Sequence, residues 1–141
     1  MPDFFQTGAV TTLHRLGKHL ALEADDGRVM EIHLGMSGQV RVHTTPDAAI
    51  DRHVHAVWML EPDHREATTM TFRDPRRFGG LWTFPSLRML HEERWSVLGP
   101  DALSIESTDL AARLGRTTRA IKTALLDQAI SSGAMFILPK P

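Results

Sequence analysis

The spacing of apolar residues changes once along the chain, at Pro85, and that change limits the fold more than any other feature of the sequence. Before it, apolar and polar residues alternate in short runs separated by Gly, Asp and Pro, the period of strands with one covered face. "KHLALEA" sets Leu20, Leu22 and Ala24 against Lys18, His19 and Glu23. "DDG" then forms a hairpin turn, and "RVMEIHL" resumes the alternation with Met30, Ile32 and Leu34. "QVRVH" carries Val40 and Val42, and "VHAVWML", "TTMTF" and "GLWTF" supply further strands, with "TTPDAAID" and "EPDHRE" as connections. After Pro85 the apolar residues fall at helical spacing. Ser86 is placed to cap "LRMLHEERW", and "STDLAARLG" stops on Gly115. "TTRAIKTALLDQAI" starts at Thr117 or Thr118 and sets Ile121, Leu125 and Leu126 on one face, while "SSGAMFILPKP" has no clear period. The expected fold is mainly β with C-terminal helices (α+β): an antiparallel sandwich or barrel over residues 1–98, helices over 99–129 and a tail over 130–141.

A chain of 141 residues is the length of one domain. It has no cysteine, so disulfides and thiolate metal sites are excluded, as suits a reducing compartment. No apolar run approaches the roughly 18 residues of a membrane span. Asp3 and the lack of a basic leader argue against a signal peptide, so a cytoplasmic location is expected. The net charge of −1 does not announce a polyanion partner, but its distribution is uneven. Arg113, Arg116, Arg119 and Lys122 lie in a stretch (110–126) without an acid, and Arg73, Arg76 and Arg77 are opposed only by Asp74.

Four segments carry candidate chemistry. In "FRDPRRFGG" an aromatic, Phe78, sits among arginines, a proline and two glycines. Either the ring folds back under a turn, or the loop pushes it outward into something stacked and polyanionic. An enzyme that takes a base out of the stack needs an apolar wedge for the vacated space and a hydrogen-bonding side chain for the base left behind. Arg76 and Phe78, two residues apart, share a side of an extended loop and supply that pair. In "HLGMSG", Met36 stands in a strand-breaking turn, where it either fills a core gap or points out. Lys18 heads an apolar strand, a common place for a solvated edge charge. His53 and His55 in "RHVHAV" share a strand face, but two neutral ligands alone make a weak metal site. Phosphate contact or plain surface suits them better.

In order, "GKHLALE…DDGR", "HLGMSG", "H-x-H-x-V", "DPRRFGG" and "LGPDALS…IKTALLDQ" resemble the formamidopyrimidine-DNA glycosylase / endonuclease VIII family of base-excision repair enzymes, from about Thr11 to Gln128. The resemblance implies a β-sandwich followed by a helix–two-turn–helix region, removal of oxidised bases from damaged double-stranded DNA, and strand cleavage by a lyase step. It implies that Met36, Arg76 and Phe78 fill the void after flipping, with Arg76 facing the orphaned base and Phe78 wedging the stack. Lys18 and Lys122 would lie near the DNA backbone and His53 or His55 at the phosphates; Arg77, next to Arg76 in the loop, is a further candidate phosphate contact.

The catalytic group of that family is an N-terminal proline in a "PELPEV" segment, whose amine attacks the sugar C1′ and forms a Schiff base. This chain begins "MPDFFQTG", which makes Pro2 the candidate nucleophile, in a segment that does not match. "LLDQ" is followed by "AISSGAMFILPKP" rather than the family's "GxGNIY"-like turn, and without cysteines the family's zinc finger has no ligands here, so no cofactor is expected in this chain. The sequence thus reads as incomplete at both ends, with no strand cleavage of its own expected. Its uncovered sheet surface is expected to favour self-association. Two readings stay open: a lesion-specific glycosylase and lyase, or a catalytically inactive DNA-binding module or non-functional fragment of one.

Overall fold

A computed structural model describes residues 8–45, 51–61 and 69–133. Its order is β1 (Val10–Leu16), β2 (His19–Ala24), β3 (Val29–His33), β4 (Gln39–His43), β5 (Val54–Met59), β6 (Thr69–Arg73) and β7 (Gly80–Phe84), then α1 (Leu87–Glu93), a 3-10 turn (Trp95–Val97), α2 (Ser107–Leu114) and α3 (Ile121–Leu126). Mainly β with helices last, it has the class that the change of period at Pro85 implies. The strands form a four-stranded sheet in the order β1-β2-β3-β7 and a three-stranded sheet in the order β4-β6-β5. The β1–β2, β4–β6 and β5–β6 pairs are antiparallel. Two compact units divide the chain, one built on Ile32–Trp82, the other on Ala9–Glu31 and the helical part after Thr83.

In the first unit, Val40, Phe72 and Ala56 are in register across β4, β6 and β5, and Phe72 and Ala56 are buried. In the second, Ala21, Val29, Phe84, Leu90 and Trp95 form the core, with Leu16, Leu87, Met89 and Leu98 packed against it. Here the simple alternation breaks down. His19, Ala21, Leu22 and Ala24 of β2 are all buried, as are Val29, Met30, Glu31 and Ile32 of β3. The helical segment after Pro85 brings Leu90 and Trp95 onto Ala21 and Val29, so the second face of these strands is covered too. Alternation puts His19 on the solvent side; it is buried because Glu31 pairs with it.

Ser86 caps α1 as expected, its Oγ accepting from Met89 N at 3.3 Å, and Gly115 follows α2 as its C-cap. The last helix departs from expectation. Thr117 Oγ1 accepts from Arg119 N at 3.2 Å, a local turn, and α3 begins only at Ile121, after Ala120. It ends at Asp127, whose Oδ1 takes Ala129 N at 2.9 Å. Ile121, expected on the packed face, is 69% exposed, and the small Ala124 is the buried position. The segment without clear period is well packed at its start, with Ser131, Ser132 and Gly133 buried. No helix among the described residues is long and apolar enough to cross a membrane.

Candidate nucleic-acid interface

β6 ends at Arg73, and the next residues, 74–79, lead to β7. Because β6 and β7 belong to different sheets, this segment is a crossover between sheets and not a hairpin tip. Asp74 organises it. Only 1% exposed, its carboxylate accepts from Ser37 Oγ at 2.6 Å, Gly79 N at 2.7 Å and Arg76 N at 3.4 Å. Its own N–H donates to His53 O at 2.9 Å, and its carbonyl takes Arg77 N at 3.3 Å. Burial pushes the Asp74 carboxyl up, but the bonds from Ser37, Gly79 and Arg76 and the nearby His55 outweigh that and hold it below its ordinary value.

Two glycines let the "HLGMSG" and "DPRRFGG" segments meet backbone to backbone. Gly35 has φ +58, and a Cβ on it would lie 2.6 Å from Phe78 C and Gly79 N. A Cβ on Gly79 would lie 2.3 Å from His33 O. The contact brings Met36 and Phe78 into one neighbourhood with both side chains outward, 57% and 60% exposed. Of the two readings open for Phe78, the ring buried under a turn is therefore excluded. Arg76 and Arg77 are exposed too, and neither side chain has a partner among the described residues. Arg73 is different: its Nε donates to Asp51 Oδ2 at 2.7 Å. Arg77 has φ +55, the one left-handed non-glycine residue described, and costs backbone energy at the tip of the loop. A cavity of about 380 Å³ lies beside it, lined by His55, Phe72, Arg77 and Leu81 among others.

The histidines are not equivalent. His53 precedes β5, and its Nε2 accepts from Arg52 Nε at 3.1 Å, whereas the half-buried His55 donates from Nε2 to Asp74 O at 2.8 Å. The pair therefore does not form one strand face: a register shift falls between Val54 and Ala56. His55 is a support of the loop. Lys18 also departs from the solvated edge charge, being 8% exposed, and burial lowers its ammonium pKa. It follows Gly17, whose N–H donates to Asp101 Oδ2 at 2.7 Å. Lys122 is exposed on α3. The basic run around it is less bare than its sequence suggests, because Arg113 pairs with Asp109 and Arg119 with Asp127 from just outside the run. Pro2 lies outside the described residues.

Sequence reasoning missed Asp74 and Ser37 as parts of the site. Spacing alone presents Asp74 only as a charge opposing arginines. The available signal was its place between a strand end and a proline, where an aspartate accepts main-chain bonds from the turn that follows.

A family model described as the formamidopyrimidine-DNA glycosylase N-terminal domain matches residues 3–81, more than half of the chain. The chain is 40% identical over 129 residues to a formamidopyrimidine-DNA glycosylase of Thermosynechococcus vestitus, covering 89% of this chain and 44% of the relative. To that of Synechococcus elongatus it is 41% identical over 123 residues, covering 84% and 42%. Among solved structures, the MutM (Fpg) protein of Thermus thermophilus matches with a TM-score of 0.69 at 31% identity, over 89% of this chain and 44% of that one. A Lactococcus lactis Fpg in complex with DNA containing an abasic site has the same fold, with a TM-score of 0.71 at 24% identity, over 89% and 45%. This chain thus spans less than half the length of the relatives it matches. On the matched domain and these identities, the chain belongs to the formamidopyrimidine-DNA glycosylase family.

Proposed function

We propose that this chain is the lesion-reading part of a base-excision repair glycosylase, which binds double-stranded DNA at a damaged base or abasic site and takes part in removal of the oxidised base and cleavage of the strand. One observation carries the reading: Phe78 is 60% exposed on a loop whose main chain is tied down by Asp74. A ring that stands out from a fixed loop enters a base stack without unfolding its support. Arg76 bonds the orphaned base, Phe78 wedges the stack and Met36 fills the void. Arg77 and Lys122, both exposed, make backbone contacts, with His53 at a phosphate and His55 holding the loop. Lys18 has a smaller share, since burial disfavours its charge. Pro2 is the candidate for the amine of the lyase step, in a segment that differs from the family's, and no cofactor from this chain enters the chemistry. A cytoplasmic location goes with this reading, and so does self-association through the apolar surface that Val57 and Met59 leave on one face of β5.

Support comes also from the Lactococcus lactis neighbour, whose structure contains abasic DNA. The alternative, binding without catalysis, is favoured by the make-up of the loop site: Met36, Arg76, Arg77 and Phe78 offer wedge and cation, and no nucleophile. Both readings require the wedge. Phe78→Ala is expected to weaken binding to abasic duplex roughly fivefold to a hundredfold, since stacking an aromatic on a base contributes about 1–3 kcal/mol, and to leave intact duplex nearly unaffected. Fluorescence anisotropy on the two duplexes checks this; equal losses on both remove the wedge.

A further inference from the structure

The methionines of the described residues are not equally open to chemistry. Met30 is buried, Met70 and Met89 are half-buried, and Met36 and Met59 are exposed. Met59 lies on β5, whereas Met36 stands in the turn that meets the wedge loop. We propose that Met36 is an oxidant-sensitive modification site: its conversion to the sulfoxide by a hydroperoxide lowers the preference for abasic duplex and leaves the fold intact. The effect on binding rests on the DNA-binding reading above.

The main chain is pinned on both sides of Met36. Gly35 lies so close to the wedge loop that a Cβ on it would sit 2.6 Å from Phe78 C. Ser37 Oγ donates to Asp74 Oδ1 at 2.6 Å, and Gly38 N donates to Leu34 O at 2.7 Å. None of these contacts uses the Met36 side chain, so an oxygen added to its sulfur leaves the supports of the turn in place. In the reaction a sulfur lone pair attacks one oxygen of the peroxide. An S–O bond forms as the O–O bond breaks, the sulfur loses two electrons, and hydrogen peroxide is reduced to water. The product carries a polar oxygen where the side chain was apolar. In solvent that oxygen is hydrated. In the space left by a flipped base it must shed its water between stacked rings, and burying a polar group without a partner is unfavourable. Met36 therefore suits the void as the thioether and not as the sulfoxide. Met59 undergoes the same chemistry away from the wedge loop, which makes it the internal control.

The test treats the whole chain with dilute hydrogen peroxide, removes the peroxide, and only then adds DNA. Peptide mass spectrometry is expected to show Met36 oxidised well before the buried Met30, with the thermal unfolding midpoint unchanged. Abasic duplex is expected to bind about fivefold to a hundredfold more weakly after treatment, the range for burying an unpartnered polar group, and intact duplex to be little affected. Met59→Leu is expected to suffer the same loss on treatment, and Met36→Leu none relative to its own untreated affinity. Met36→Gln, of similar length with a polar end, is expected to reproduce the loss without oxidant. Methionine sulfoxide reductases acting on both epimers are expected to restore the treated parent. A loss in Met36→Leu as large as the parent's, or oxidation of Met36 no faster than that of Met30, overturns the proposal. If the untreated chain shows no preference for abasic duplex, the wedge reading falls. Fast, reductase-reversible oxidation of Met36 then keeps the modification site, and slow oxidation removes it as well.

Discussion

Asp74 and Glu31 are both carboxylates withdrawn from solvent, at 1% and 0% exposure, and both are kept charged against the cost of burial. They differ in what they hold. Asp74 takes the main-chain N–H groups of Gly79 and Arg76 and the hydroxyl of Ser37. Glu31 takes side chains: His19 Nδ1 at 2.6 Å and Trp95 Nε1 at 2.9 Å on one oxygen, Arg94 Nε on the other. A carboxylate bonded to main chain sets the path of a loop and leaves the loop's side chains to solvent, which is how Arg76, Arg77 and Phe78 come to be presented. A carboxylate bonded to side chains removes them from use and closes a core. The first arrangement presents side chains to solvent, the second builds a scaffold.

The largest effect expected from breaking this contrast is at Glu31. Burial would raise its carboxyl, but the bonds from His19 and Trp95 and the charges of Arg94 and His19 more than offset this and lower it. Glu31→Gln removes the buried negative charge to which Arg94, His19 and Trp95 are bonded and is expected to cost about 3–5 kcal/mol, as loss of one partner of a buried pair does. Urea unfolding measures it. The sign with pH follows from the lowered value: the contribution is complete above the ordinary glutamate value of 4.5 and is lost as pH falls through the lower folded value. The parent chain is therefore expected to lose stability below about pH 4.5, and Glu31→Gln to show a flatter acid limb. A variant as acid-sensitive as the parent places that loss elsewhere.

Asp74→Asn is the matched change, with a smaller expected cost of about 1.5–3 kcal/mol, the range for bonds to a charged acceptor. Its distinguishing signature is local. Hydrogen exchange is expected to speed up at the Gly79 and Arg76 amides while the core protected by Leu90 and Trp95 is unchanged. Preference for abasic over intact duplex is expected to fall although Phe78 itself is untouched. If exchange rises uniformly through the chain, Asp74 is a core residue like Glu31 and the contrast is void.

What could be read in advance divides along the same line. Class and element order followed from the change of period at Pro85, because strands and helices repeat their apolar residues differently. At Phe78, an aromatic among arginines and glycines, the sequence left a buried and an outward ring both open, and only the exposure of the ring decides between them. His19 and Glu31 were not legible. Each sits where alternation demands a solvated residue, and only the return of the segment around Leu90 and Trp95 onto β2 and β3 shows otherwise. That is a tertiary event, with no trace in local spacing. Ile121 failed for a related reason. Its helical face has an apolar residue, but α3 is six residues long and buries the small Ala124 instead. Lys18 differs from expectation because the residue heading a strand reads as an edge position, whereas Gly17 beside it packs against Ser132 and Gly133.

The smallest expected effect lies at Arg77, where the interface and the fold are in conflict. Its φ of +55 is unfavourable for any residue with a Cβ, by roughly 1–2 kcal/mol, and the exposed side chain has no partner among the described residues to offset this. Glycine adopts this conformation freely, though it loses about 0.5–1 kcal/mol to the greater entropy of the unfolded chain. Arg77→Gly is therefore expected to raise stability by about 0.5–1 kcal/mol, a Tm rise of roughly 1–4 °C for a chain of this size. The same change removes a positive charge from the loop. Both duplexes are then expected to bind severalfold more weakly, with a salt slope lower by about one. A gain in stability together with a loss of binding would show that the loop carries strain for the sake of its ligand, as functional loops do. A loss of stability would mean that the Arg77 side chain supports the loop, and Asp74 would no longer suffice to explain its path.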